Sequence, residues 1–89
     1  MTIQQLKENI KGLPYEEAVS RLDAYIVENP GDDEALTMRG MKHCGASKRS
    51  LAINDFLAAI RINPDSRAKE ALKAANEILD FYNKDFYNP

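Results

Sequence analysis

Few residues of this chain have chemistry that could act on a substrate, and the densest pair is His43 beside Cys44, its single histidine and single cysteine. A cysteine nucleophile needs a base within hydrogen-bond reach, and a metal needs three or four converging ligands. Neighbours on a helix point about 100° apart and do not converge. One cysteine also excludes an intramolecular disulfide and a cysteine-based zinc site. His43 and Cys44 therefore read as structural or groove-lining, and no metal, no cofactor and no catalytic centre is expected.

Two acidic runs, Glu16-Glu17 and Asp32-Asp33-Glu34, have the composition of paired catalytic carboxylates. Each stands where a helix should begin, and negative charge there is favoured by capping and by the helix dipole. Gly31, Gly40 and Gly45 form no phosphate-binding pattern after a strand. The chain is thus expected not to be an enzyme.

Charge is unevenly spread. Residues 1–35 hold three basic and eight acidic side chains, a net of −5; residues 36–75 hold eight basic and three acidic, a net of +5; the remainder contributes −2. Such asymmetry could steer an acidic partner or a second copy, or simply solvate the surface. The basic residues are dispersed over three helices and the clustered rings lie in the acidic tail, so nucleic acid is not an expected partner. No signal-peptide run is present at the amino terminus and no stretch nears the roughly 18 apolar residues of a membrane span, so a cytoplasmic location away from membrane is the expectation.

The elements that must position these residues are helices. Apolar residues recur at helical spacing, as in Ala18, Val19, Leu22, Tyr25 and Ile26, or Leu51, Ala52, Phe56, Ala59 and Ile60. Breaks at Gly12-Leu13-Pro14, Asn29-Pro30-Gly31-Asp32, Gly45-Ala46-Ser47 and Asn63-Pro64-Asp65-Ser66 divide the chain. The pattern predicts an all-α fold in one domain, with helices over 2–11, 14–28, 33–44, 48–62 and 66–83.

Comparison of the chain with itself adds a repeat. A shift of 34 residues lays Ala18 on Ala52, Ala24 on Ala58, Asn29 on Asn63 and Pro30 on Pro64, and pairs Leu22 with Phe56. Over Asp33–Ser66, the residues Leu36, Gly40, Ala52, Phe56, Ala59 and Pro64 stand at the spacing of a tetratricopeptide repeat (TPR), whose unit has this length. The segment resembles that family. Leu36, Arg39 and His43 stand where the family often has Trp, Leu and Tyr. The first repeat, 1–32, keeps its second helix through Tyr15, Ala18, Leu22 and Pro30. The last segment, 67–89, keeps Ala74 in register with Gly40 and resembles the capping helix of such arrays.

The resemblance implies antiparallel helix-turn-helix repeats in a right-handed superhelix. Small residues at Gly40, Ala52 and Ala74 would let helices approach while Phe56 fills the space beside them. It also implies a concave groove lined by first helices, here Glu34, Thr37, Met41 and Cys44, with Ala71, Ala75 and Ile78 from the last helix. That set is largely apolar and suits an amphipathic helix or hydrophobic peptide of another protein. Thr37, Met38 and Met41 occupy places where some TPR domains carry polar groups that grip a terminal carboxylate. The alternative is a self-associating module, a homodimer through the groove or the last helix. The rings Phe81, Tyr82, Phe86 and Tyr87 can serve core or interface.

Overall fold

The computed structural model describes residues 1–75, which are helical apart from turns and contain no strand. Helix α1 spans Ile3–Ile10, α2 Tyr15–Glu28, α3 Asp33–Gly45 and α4 Arg49–Ile62. A fifth helix, α5, begins at residue 68 and is described to residue 75. The all-α class, five helices and starts near the predicted positions agree with the sequence pattern. Ile78 and the four tail rings lie outside the described residues.

Local chemistry accounts for the boundaries. Thr2 and Gln5 form a reciprocal capping box at the start of α1, through the Gln5 N–H to Thr2 Oγ1 (3.2 Å) and the Thr2 N–H to Gln5 Oε1 (2.8 Å). Gly12 follows α1 with φ of +80°, a left-handed geometry that disfavours a side chain. Asp32 caps α3 by accepting from the Glu34 and Ala35 N–H groups, and its other carboxylate oxygen accepts from the Tyr25 hydroxyl at 2.7 Å. Glu16 and Glu17 lie in the first turn of α2, and Asp33 and Glu34 in that of α3. These acids lie where the helix dipole favours negative charge.

Consecutive helices pair as hairpins. Asp33 meets Asn63, Gly40 meets Phe56 and His43 meets Asp55, so contacts retreat towards α4's start as they advance along α3. Tyr15 with His43, Asp23 with Arg39 and Tyr25 with Asp32 give the same antiparallel order for α2 and α3. Two cores result. Leu6, Ile10, Ala18 and Leu22 are buried in the first, with Met38 packed against it from α3. Leu36, Ala52, Phe56, Ala59, Ala68 and Ala75 are buried in the second, with Ile26 packed against it from α2. Full burial of Leu6, Leu22 and Phe56 stabilises the fold by about 1.5–3 kcal/mol each.

Gly40 of α3 faces the Phe56 ring of the second core. A Cβ there would lie 2.5 Å from Phe56 Cε1 and 2.7 Å from Cδ1, so no side chain fits while that ring stays in place. Within α5, residues 68, 71, 72 and 75 form the packed stripe: Ala68 and Ala75 are buried, and Ala71 and Leu72 pack partly buried against the same core. Ala74 is exposed, although the repeat register places it in the seam. The packed face is therefore rotated by one residue, about 100°. Ser66, just before this helix, is buried, caps α5 by accepting from the Ala68 N–H at 3.1 Å, and its hydroxyl lies 3.3 Å from that of Thr37.

Candidate binding cleft

A polar network centred on Asp55 of α4 lies among the helices. Arg39 binds both of its oxygens, Nε to Oδ2 at 2.9 Å and Nη2 to Oδ1 at 2.7 Å, and also reaches Asp23 of α2 through Nη1 at 2.9 Å. His43 Nε2 lies 3.5 Å from Asp55 Oδ2, and its Nδ1 shares a 2.7 Å hydrogen bond with the Tyr15 hydroxyl. The Tyr15 and His43 rings meet edge to face at 5.7 Å, with Lys48 Nζ 5.9 Å from the Tyr15 ring centre. The hydrogen bonds it donates to Asp55 raise the Arg39 guanidinium well above its ordinary pKa, against the opposing effect of burial.

Tyrosine, histidine and aspartate in this order resemble a proton relay, but the geometry gives them another task. His43 and Asp55 are 7% and 6% exposed, both imidazole nitrogens face partners, and both Asp55 oxygens are taken by Arg39. The network ties α2, α3 and α4 together where the TPR pattern would place Leu and Tyr. Among the described residues no group of three or more His, Cys, Asp or Glu side chains is arranged to hold a metal ion. Nor is any helix among them long and apolar enough to cross a membrane.

The groove set is only partly brought together. Thr37 is buried at 3% exposure and donates to the Asp33 carbonyl at 2.8 Å. Cys44, partly buried, packs against the second core together with Ala71, and Ala75 is buried in that core. Glu34 stays half-exposed, paired with Lys7 at 2.6 Å and Arg67 at 3.3 Å. Met41 is 58% exposed. Of this set, Thr37 and Ala75 are buried, Ala71 and Cys44 are partly buried, and Ile78 lies outside the described residues.

What remains is a cleft of about 400 Å3 between α1 and α3, lined by Lys7, Ile10, Lys11, Met38, Met41 and Lys42. Lys7 meets Glu34 near the start of α3, and Ile10 and Lys11 lie further on beside Met38, Met41 and Lys42. The two first helices thus run in the same direction. Ile10 and Met38 enter the cleft from the first core, while Lys7 on α1, Lys11 just after its end and Lys42 on α3 add the cations of its lining. Ile10, Met38 and the three lysines did not stand out in the sequence. Their signal is the pairing of two helix faces, 7/10/11 and 38/41/42, each legible on its own but not their juxtaposition.

A second, polar cleft lies among Asp32, Asp33, Glu34, Thr37, Asn63, Asp65, Ser66 and Arg67. Asp32 caps α3, Asp33 accepts from Asn63 Nδ2 at 3.4 Å, and Glu34 is ion-paired, so this end fastens the loops. Compared with known proteins, the chain matches no family model, no curated protein and no solved structure.

Proposed function

We propose that this chain is a non-catalytic adaptor of the tetratricopeptide kind, which receives a peptide or helix of another protein in the cleft between α1 and α3. The observation that carries the reading is Met41, largely exposed in a cleft between two first helices that run in parallel, beside the half-buried Met38 and the buried Ile10. Exposed apolar surface in a concave setting marks binding sites, and methionine adapts its shape to varied partners. The 34-residue self-similarity and the packing of Gly40 against Phe56 support the repeat assignment.

The test is affinity capture from cells that make the chain, run in parallel with wild type and Met41→Arg. Proteins held by wild type and lost by the variant, at an unchanged melting temperature, support the adaptor. Undiminished capture by the variant overturns it.

A further inference from the structure

The resemblance alone implies an apolar groove, yet the walls of the cleft carry three cations. Lys7, Lys11 and Lys42 line it, and among the described residues no acidic side chain does; Glu34 is shared between Lys7 and Arg67. Among the described residues Lys11 and Lys42 have no ion pair. They come to the cleft from different segments, Lys11 from the residue that follows α1 and Lys42 from α3, which also supplies Met38 and Met41.

Resting on the adaptor reading, we infer that the occupant is an acidic amphipathic segment of another protein. It places apolar side chains against Ile10, Met38 and Met41, and its flanking carboxylates meet Lys11 on one edge and Lys42 on the other. Charge complementarity selects this class, because a neutral apolar helix would bury part of both ammonium groups without a counter-charge, and a basic one would repel them. The apolar part of the lining argues for peptide over nucleic acid, since a phosphate backbone offers Met38 and Met41 nothing to pack. On the partner, carboxylates belong on both borders of an apolar stripe, at the i, i+3, i+4 spacing of one helix face.

The experiment uses the full chain with 13C-labelled methionine methyls and three 18-residue amphipathic peptides that share one leucine stripe. Their flanking positions are all Glu, all Gln or all Lys. The expected result is that the Glu peptide shifts the Met38 and Met41 methyl signals and binds about tenfold tighter than the Lys peptide, with a preference that fades as salt rises. Lys11→Glu combined with Lys42→Glu reverses the order so that the Lys peptide binds best, a gain that an unfolded variant cannot show.

Equal binding of the Glu and Gln peptides, with both methyls shifted, overturns the charge inference and leaves the groove reading standing. Failure of all three peptides to move either methyl overturns both. Met41 signals that shift with protein concentration alone identify a second copy as the occupant, and displacement of the Glu peptide by a single-stranded oligonucleotide identifies a polyanion; either outcome overturns the proposal.

Discussion

Tyr25 shows how much one side chain can carry at the surface of so small a fold. Its hydroxyl donates to Asp32, the residue that caps α3, so cap and phenol hold each other. The hydrogen bond to Asp32, with lesser help from burial and the nearby carboxylates, raises the phenol above its ordinary value of 10.0. A raised value in the folded state means that the proton is held more tightly there than in the unfolded chain. The stabilisation is therefore complete below about pH 10 and is lost as pH rises through the raised value. Urea denaturation of wild type and Tyr25→Phe should show a constant difference from pH 7 to pH 9 that shrinks by pH 11. A difference that grows over that range would contradict the assignment.

At the scale of the helix, α5 separates repeat pattern from packing. The register of the repeat puts Ala74 inside; the fold leaves Ala74 exposed and buries Ala75 against the second core. Ala75→Arg should therefore cost more than about 3 kcal/mol, by forcing volume and charge into the second core. Ala74→Arg should change stability by less than about 0.5 kcal/mol, as surface substitutions do. Thermal denaturation of the two variants is the check, and equal effects would remove the rotation. Neighbouring residues with opposite outcomes cannot be told apart by composition, since both are alanine in one helix.

Across the molecule, Arg39 and Asp55 join what the two cores leave separate. Asp55→Ala would strip the guanidinium of its bidentate partner, leaving Asp23 as its remaining carboxylate, and should cost about 2–4 kcal/mol. Adding Arg39→Leu should recover part of that loss, because it removes the uncompensated charge and restores the apolar residue of the repeat pattern. Chemical denaturation of both variants measures this, and a double variant less stable than Asp55→Ala would refute the account. Helix α3, which carries Arg39 of this tie, also supplies Met38, Met41 and Lys42 to the cleft, so hydrophobic packing and the network together hold that side of it.

The sequence by itself determined the helices, their breaks and the seam residues Ala18, Leu22, Leu36, Gly40, Ala52, Phe56 and Ala59, all buried as their spacing predicts. Periodicity, capping chemistry and a 34-residue self-match are local or one-dimensional signals, and they survive folding unchanged. Tertiary structure decided what depends on two segments meeting. Arg39 and His43 look like losses of apolar packing until Asp55 and Tyr15 arrive from other helices, and three dispersed lysines come to line one cleft when α1 is laid beside α3. Thr37 likewise reads as a groove residue until the fold buries it beside Ser66. A side chain's type is written in the sequence, but its partner lies across a helix interface, and that distance is set by the packing of whole faces.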